Sequence, residues 1–316
     1  MHAGATGRGE VSLPDVVLTN LDKVLWPRAG FRKGDMIEYY RRIAPALLPH
    51  LTGRPLVTHR SPDGVEGKGW FQTRCPHPPA WLRTATVPSG SRRGEAYEYC
   101  VVDDLRSLLW VANLGAIELH PLLACTDRLD VPTQVVFDLD PGPPAGIAAC
   151  SAVAVRLRDL LAALGLRSVV KTSGWAGIHV VVPLNSSQTF EASKRFARAI
   201  AAHLAARHPE LIVDRPAQAL RHGKVFVDWS QNSRTRSIVA PYSLRATDIP
   251  LVSTPLAWEE VGQKASFFRP QDVLERVAEY GDRFRAALEV EQELPPDWPL
   301  FPSSMQDEPD PQGLTR

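Results

Sequence analysis

Two aspartates separated by one residue lie in the segment FDLDPG, as Asp138 and Asp140, after an apolar run. On an extended strand alternate residues share a face, so both carboxylates lie on one side and Leu139 on the other. Two carboxylates this close repel each other unless a cation lies between them, and a hard divalent ion is the ordinary solution. An alternative is that one aspartate caps the following turn while the other is solvated. The pair alone leaves both interpretations open.

A third carboxylate, Asp228, lies in the apolar segment VFVDWS. A buried aspartate without a partner is costly. Three aspartates on two strands commonly hold two metal ions about 3.5 to 4 Å apart for phosphoryl chemistry, so the set predicts a nucleotidyl transferase. A competing interpretation is a metal-dependent phosphohydrolase of the haloacid dehalogenase type, with Asp138 as its nucleophile. That family has its acidic pair near the chain start with a threonine following, whereas Pro141 and Gly142 follow here.

The segment TSGWAGIHVVVPL contains a glycine turn that begins at Ser173, and His179 starts the next apolar run. Such a turn offers backbone N–H groups and a hydroxyl to a phosphate. Cations near Asp228 in the sequence would suit the negative charge of a triphosphate; they are Arg221, His222, Arg234, Arg236 and Arg245. Surface solvation would also account for most of these arginines, and a structural hydrogen bond would account for His179.

The elements that must position these residues alternate between strand and helix. Apolar runs predict strands over residues 134–139, 169–171, 178–184 and 224–229. Helical periodicity predicts helices over residues 33–48, 101–119, 148–164, 190–207 and 272–289. Because there is no regular βαβ register and no GxGxxG fingerprint, we expect an α+β or mixed α/β fold with a mixed sheet rather than a dinucleotide-binding fold.

Composition excludes several classes of protein. The 316 residues are 44% hydrophobic and 22% charged, close to globular averages and unlike disordered, collagenous or coiled-coil chains. No stretch approaches the roughly 18 apolar residues of a membrane span, and the opening residues lack the apolar core of a signal peptide. We therefore expect a cytoplasmic protein with no membrane partner. Residues 215–245 contain six basic residues and a single acid, Asp228, which would suit a polyanion.

Four cysteines lie at even intervals of 25 residues without a CxxC pair; they are Cys75, Cys100, Cys125 and Cys150. Few cysteines and no secretory signal predict reduced thiols rather than disulfides.

The motifs ELHP, FDLDPG, TSGxxGxHxxxPL and VFVDWSQNSRTRSIVAPYSLRA occur in that order. Over about residues 15–300 the chain resembles the polymerase domain of bacterial ligase D and its stand-alone relatives, primase-polymerases of the archaeo-eukaryotic primase superfamily. The resemblance implies a primase-like catalytic core with a central mixed sheet flanked by helices. It also implies a template-dependent polymerase that fills short gaps or breaks in DNA repair and non-homologous end joining, with a preference for ribonucleotides.

The resemblance also implies residue roles. Asp138, Asp140 and Asp228 would bind two divalent metal ions, manganese or magnesium. The nucleotide-binding set would be His120, Ser173, His179, Arg221, Gln231 and Arg245. Asn20, Lys23 and Lys33 would bind a downstream 5′-phosphate of gapped or broken double-stranded DNA, and Trp70 and Phe71 would stack on template bases. Without the resemblance, the lysines would be ordinary surface residues and the aromatic pair core residues.

Further expectations concern organisation and partners. We expect flexible tails over residues 1–11 and 301–316 around a single module, with a DNA-binding part over about 12–125 and a catalytic core over about 126–300. The partners would be NTP or dNTP, a separate DNA ligase and an end-binding protein, in a bacterial cytoplasm at the nucleoid. A non-catalytic end-binding module is a third alternative. Relatives often carry a lysine in the SGxxG turn, where this chain has Trp175 and Ala176, so a phosphate contact could differ.

Overall fold

The computed structural model describes residues 16–89, 94–262 and 267–296. The two predicted flexible tails lie outside these residues. The helices are α1 Lys33–Leu51, α2 Leu105–Asn113, α3 Ile147–Ala163, α4 Phe190–Arg207, α5 Pro270–Tyr280 and α6 Ala286–Glu289. The strands are β1 Val24–Trp26, β2 Phe31–Arg32, β3 Pro55–Arg60, β4 Trp70–Gln72, β5 Thr84–Pro88, β6 Ala96–Val101, β7 Ala116–Pro121, β8 Gln134–Pro141, β9 Val169–Thr172, β10 Ile178–Pro183, β11 Ile212–Val213, β12 Val225–Asp228, β13 Leu244–Arg245, β14 Leu251–Val252 and β15 Pro255–Leu256.

A six-stranded mixed sheet has the strand order β11-β12-β8-β10-β9-β15. Only the β11–β12 pair is parallel among these neighbours. Val135, Phe137 and Leu139 of β8 belong to one buried cluster with the apolar faces of α3 and α4. Because side chains alternate along a strand, Asp138 and Asp140 point to the opposite face of the sheet. The hydrophobic pattern of β8 therefore places both carboxylates away from the helices.

A second sheet has the order β4-β3-β6-β5, and β7 pairs with the other edge of β3. Its core is shared with α1 and α2. Strands β6 and β4 lie end to end along one edge of β3, since β6 pairs at Pro55 and Leu56 while β4 pairs from Thr58 to Arg60.

Two predicted helices are wrong in part. Residues 101–119 form the end of β6, then α2, then β7. Helix α2 ends before Gly115, whose φ is 80° and whose missing Cβ would lie 2.9 Å from Pro62 Cα. The run looks helical because β7 is buried on both faces and lacks alternation. The predicted helix 272–289 is interrupted at Gly281, with φ 70°, so that α5 and α6 are separate. The predicted helix 190–207 is confirmed as α4.

The expectation of reduced thiols is wrong for one pair of cysteines. Cys75 and Cys100 form a disulfide with a Cα–Cα distance of 4.9 Å, while Cys125 and Cys150 are free. The Cys75 N–H donates to the Glu98 carbonyl at 2.7 Å. This bond holds the segment after β4 beside β6, so the two sulfurs meet across a separation of 25 residues. The disulfide therefore ties the strand with the aromatic pair to β6.

In the part of the chain that the structure describes, none of the helices has both the length and the apolar character needed to cross a membrane.

Candidate active site

The three aspartates lie together on neighbouring strands. Strands β8 and β12 are antiparallel, with Asp228 directly opposite Asp138 and Phe226 opposite Asp140. Burial raises the pKa of Asp138 to about 6. Burial, with the charges of Asp138 and Asp228, raises the pKa of Asp140 to about 7. The structure thus gathers the predicted carboxylates into one site where they repel one another.

The carboxylate oxygens are partly engaged by the protein. Asp228 accepts hydrogen bonds from Ser230 N at 2.8 Å and from Gln231 Nε2 at 2.9 Å, so the turn after β12 holds its side chain. Among the described residues, no three acidic, histidine or cysteine side chains form a ready-made metal-binding group. The donor set nevertheless fits a hard divalent cation, because all three groups are carboxylates and a cation would remove their mutual repulsion.

Two of the predicted nucleotide-binding residues are occupied by contacts within the protein. His179 is 3% exposed, with Nε2 3.1 Å from Asp138 Oδ1 and Nδ1 2.8 Å from Lys171 Nζ. Ser173 Oγ accepts hydrogen bonds from the N–H groups of Trp175 and Gly177 at 3.2 and 3.0 Å. The turn therefore uses these backbone donors to hold its own shape, and the Ser173 hydroxyl, as a donor, retains one hydrogen.

Glycines bring this turn close to the carboxylates. A Cβ on Gly177 would lie 2.5 Å from the Leu139 carbonyl oxygen, and one on Gly174 would lie 2.7 Å from Arg245 Cγ. Gly174 also has a φ of 74°, which favours glycine. Trp175 at the tip is 63% exposed. The glycines of the motif are thus required for close packing between the turn, β8 and Arg245.

Glu118 links two of the predicted residues, and sequence reasoning missed it. Its carboxylate accepts a hydrogen bond from His120 Nε2 at 2.7 Å and from Ala246 N at 2.9 Å, and it lies 3.3 Å from Arg245 Nη1. Burial alone would raise the pKa of Glu118, but the His120 hydrogen bond and the Arg245 charge outweigh it and lower the pKa to about 2. Glu118 therefore remains charged and holds His120 beside Arg245.

Two arginines place positive charge beside the aspartates. The Arg221 guanidinium lies 3.9 Å from the centre of the Phe226 ring. Gly142 passes so close to Arg221 that a Cβ would overlap the Arg221 carbonyl, which explains the glycine after the DLDP run. The buried Nε groups of Arg221 and Arg245 have no hydrogen-bond partner among the described residues. Both guanidinium charges oppose the upward shift in the pKa of Asp138 and Asp140, and positive charge at this position suits an anionic ligand.

The aromatic pair lies on the surface, so the alternative that it belongs to the core is wrong. Trp70 is 39% exposed and Phe71 is 62% exposed. The Phe71 ring lies edge-on between His59 and His120, with centroid distances of 5.0 and 5.3 Å. His120 and Glu118 then connect Phe71 to Arg245. The exposed aromatic surface is therefore continuous with the residues predicted to bind the nucleotide.

The predicted phosphate-binding residues meet at a tight turn before α1. Asn20 has a φ of 55°, and its carbonyl accepts a hydrogen bond from Lys23 N at 3.0 Å. Lys33 begins α1 and is 6% exposed. Its Nζ donates to the Thr19 carbonyl at 2.7 Å and to Asn113 Oδ1 at 2.8 Å. Burial and the Lys23 charge lower the pKa of Lys33, so the description of Lys33 as a surface residue is wrong.

Lys23 is more accessible than Lys33. Its ammonium pairs with Asp63 at 2.7 Å, and both side chains are substantially exposed. Exposed pairs of this kind contribute little free energy, so the Lys23–Asp63 contact costs little to break. Asn113 is a further residue that the sequence did not indicate, because it ends α2 some 80 residues away from Lys33.

Comparison with known proteins agrees with this arrangement. Residues 32–284 match the family model of the LigD primase-polymerase domain. The multifunctional non-homologous end joining DNA repair protein LigD of Mycobacterium tuberculosis is 37% identical over 284 residues, which cover 87% of this chain and 37% of that protein. The bifunctional non-homologous end joining protein LigD of Bacillus subtilis is 30% identical over 276 residues, covering 86% of this chain and 44% of that protein.

A solved structure is also similar. The polymerase domain of Mycobacterium tuberculosis ligase D in complex with DNA has a TM-score of 0.81 and 36% identity, covering 87% of this chain and 98% of that one. This similarity confirms the predicted α+β fold with a primase-like core, and the fold and site define a nucleotidyltransferase. The chain belongs to the LigD primase-polymerase domain family. Membership favours nucleotidyl transfer over the phosphohydrolase alternative.

Proposed function

We propose that this chain is a template-dependent polymerase that adds nucleotides, ribonucleotides in preference, at short gaps or breaks during non-homologous end joining. The observation that carries the proposal is the group of three repelling carboxylates whose charge is felt by two nearby arginines, Arg221 and Arg245. Such a site favours metal ions on one side and a triphosphate on the other. The LigD relatives are named for end joining, and the chain spans less than half of their length, 37% and 44%.

The carboxylates would hold the metal ions. Asp138, Asp140 and Asp228 would bind two divalent cations, manganese or magnesium, which would activate the attacking hydroxyl and stabilise the leaving pyrophosphate. Hydrogen bonds from Ser230 and Gln231 fix the position of the Asp228 carboxylate.

The nucleotide would lie between the carboxylates and Phe71. Arg221 and Arg245 would bind the triphosphate through their guanidinium groups, and the Ser173 hydroxyl would add a further hydrogen bond. His120, held by Glu118, would lie at the sugar, where His120 or Ser173 would distinguish a 2′-hydroxyl from hydrogen. Phe71 and Trp70 would stack on bases of the template strand. The sugar preference is tested by comparing the efficiency of matched NTP and dNTP; equal efficiency would contradict it.

DNA would be held at its broken end. Lys23, Lys33 and Asn20 would bind the downstream 5′-phosphate, since a terminal phosphate has more charge than an internal phosphodiester. On this proposal the chain is a single module that works with a separate ligase and an end-binding protein in the bacterial cytoplasm, at the nucleoid.

The proposal is tested with a gapped duplex, labelled nucleotide and manganese. Extension of the upstream strand supports it. Phosphate release from a small ester without extension would support the phosphohydrolase alternative, and DNA binding without turnover would support a non-catalytic module. Arg245→Ala and Ser173→Ala should each raise the nucleotide concentration for half-maximal rate by about tenfold, the equivalent of one charge-assisted hydrogen bond. Arg41→Ala, a change on the exposed side of α1, is the matched control.

A further inference from the structure

Glu118 and His120 are neighbours on one face of strand β7, since residues two apart on a strand share a face. Both side chains are buried, and His120 Nε2 lies 2.7 Å from Glu118 Oε2. The strand therefore holds a carboxylate against the imidazole that the proposed function places at the nucleotide sugar.

The donor and acceptor of this hydrogen bond follow from the surroundings of Glu118. Its Oε1 accepts from the Ala246 N–H at 2.9 Å, and its Oε2 lies 3.3 Å from Arg245 Nη1. Burial opposes the charged form, but the His120 hydrogen bond and the Arg245 charge outweigh it and lower the pKa of Glu118 to about 2. A charged carboxylate has no hydrogen to donate. The hydrogen between the two side chains therefore belongs to His120 Nε2.

The other ring nitrogen of His120 is then an acceptor. Burial lowers the pKa of His120, Arg245 and His59 lower it further, and the Glu118 hydrogen bond and charge oppose this shift without reversing it. The ring is therefore neutral at pH 7. A neutral imidazole with its hydrogen on Nε2 has an unprotonated Nδ1, which can only accept. Among the residues that the structure describes, none donates a hydrogen bond to this Nδ1.

We infer that Glu118 is a positioning residue for sugar selection, which fixes His120 as the Nε2–H tautomer so that Nδ1 accepts a hydrogen bond from a 2′-hydroxyl. A deoxyribonucleotide has no donor at this carbon. The inference rests on the proposed function, in which His120 lies at the sugar. It adds that selection depends on a donor at the 2′ position and that Glu118 determines this dependence through His120.

The first test varies the 2′ substituent in the parent protein. Four nucleotides with the same base and a 2′-hydroxyl, 2′-amino, 2′-fluoro or 2′-hydrogen are compared by calorimetric binding and by kcat/KM for extension with Mn²⁺. The hydroxyl and amino groups donate hydrogen bonds, whereas fluorine and a carbon-bound hydrogen do not. We expect the two donors to be at least about fivefold better than the other two, the equivalent of one hydrogen bond. A 2′-fluoro nucleotide as good as the ribonucleotide would overturn the inference.

The second test determines the tautomer without any nucleotide. Protein labelled with ¹⁵N-histidine is studied by NMR at neutral pH, and the His120 signals are assigned by their loss in His120→Gln. We expect Nε2 in the chemical-shift range of a protonated nitrogen and Nδ1 in that of an unprotonated one. An Nδ1–H tautomer, or an imidazolium, would contradict the role of Glu118.

The third test is Glu118→Gln, which keeps the size of the side chain. With the amide oxygen on the Ala246 N–H, the amide NH2 lies toward His120 and should reverse the tautomer to Nδ1–H. The ratio of kcat/KM for the ribonucleotide to that for the 2′-fluoro nucleotide should fall toward one, and this ratio cancels any general loss of activity. Glu98→Gln, at an exposed residue of β6 that accepts from the Thr84 hydroxyl, is the matched control and should change neither quantity. An unchanged tautomer and ratio in Glu118→Gln would show that Glu118 does not position His120.

These tests separate the inference from the proposed function. If the parent extends no primer but binds the two 2′ donors more tightly and shows the Nε2–H tautomer, polymerase activity is wrong and the role of Glu118 stands. If extension is normal and ribonucleotides are preferred, but the tautomer is Nδ1–H or 2′-fluoro is accepted equally, the role of Glu118 is wrong and the function stands. If Glu118→Gln does not fold, the spectrum and the nucleotide series of the parent decide.

Discussion

The carboxylate row on the six-stranded sheet (Asp138, Asp140 and Asp228) and the lysine pair at the start of α1 (Lys23 and Lys33) have opposite charges. In both, burial shifts a pKa toward the neutral form. In the row, burial and neighbouring aspartates raise the pKa of Asp140 to about 7. In the lysine pair, burial and Lys23 lower the pKa of Lys33. Each region therefore collects like charges that are unfavourable in the protein alone. The difference in sign agrees with the proposed ligands, a cation for the first region and a phosphate for the second.

The two regions also differ in how they are supported. The aspartates lie on adjacent strands inside a sheet, with Asp138 and Asp228 in register. The lysines lie on a turn and at a helix start, and Lys33 is held only by an amide oxygen and a carbonyl among the described residues. The carboxylate row is therefore fixed by strand pairing, whereas Lys23 can move between Asp63 and a ligand.

The largest expected effect is that of Asp140→Asn. Loss of one carboxylate should lower primer extension at least about a hundredfold, because metal-ion stabilisation contributes several kcal/mol. In chelator the same change should raise Tm by roughly 2 to 4 °C, since it removes repulsion equivalent to about 1 kcal/mol. Extension assays and thermal unfolding with and without Mn²⁺ measure both. A variant that is less stable in chelator would show that the carboxylates do not oppose folding.

The disulfide lies in the part of the molecule with the lysines and the aromatic pair. Its loss should therefore lower stability without changing the carboxylate site. Cys75→Ser opens a loop of 25 residues, which should lower the free energy of unfolding by about 3 kcal/mol. Denaturant unfolding measures this change, and Cys125→Ser, at a free cysteine, is the matched control. Mn²⁺ affinity should be unchanged in both. Equal stability of the two variants would mean that the bond contributes nothing.

The lysine pair should determine the preference for a phosphorylated end. Each charge-assisted contact contributes roughly 1.5 to 3 kcal/mol before screening, so Lys23→Ala with Lys33→Ala should weaken binding of a 5′-phosphate gap at least tenfold. Binding of a 5′-hydroxyl gap should change little. Fluorescence anisotropy on the two duplexes gives both affinities, with Lys224→Ala as the control. Equal loss on both ends would indicate a general DNA contact instead.

The smallest expected effect is a pH dependence at the aromatic surface. Burial lowers the pKa of His59, which lies against Phe71. The unfolded chain therefore binds a proton more readily, so this contribution to stability is complete above about pH 6.5 and decreases as the pH falls. His59→Gln should flatten the fall in Tm between pH 7 and pH 5 by roughly 2 °C. If the dependence of Tm on pH is the same in His59→Gln as in the parent, protonation of His59 does not contribute to the loss of stability at low pH.

Sequence patterns correctly predicted the segments whose hydrophobic spacing fits only one type of secondary structure. Alternation in FDLDPG placed Asp138 and Asp140 on one face, and the helical period of residues 190–207 gave α4. The prediction of a single helix over residues 101–119 was wrong because β7 is buried on both faces. Such a strand lacks the alternation of apolar and polar residues that would distinguish it from a helix. The disulfide depends on β4 and β6 sharing an edge of β3, which no local pattern records.

The residues near the candidate site that sequence reasoning missed are charged residues that the fold buries. Lys171 and Glu118 lie inside apolar strands, and their contacts are made to Ser253 and Arg245, which are distant in the sequence. A charged residue within an apolar run, as in VVKT and AIELHP, is the signal that could have identified both.

One double comparison tests the central claim most directly. Parent protein, Asp138→Ala with Asp140→Ala, and Lys23→Ala with Lys33→Ala are each given gapped duplexes that end in 5′-phosphate or 5′-hydroxyl, with Mn²⁺ and nucleotide. We expect the aspartate variant to lose extension while its binding stays within about a few-fold and still depends on the phosphate. The lysine variant should extend at saturating DNA but lose the phosphate dependence. Extension by the aspartate variant, or a parent that does not distinguish the two ends, would contradict the assignment of opposite ligands to the two regions.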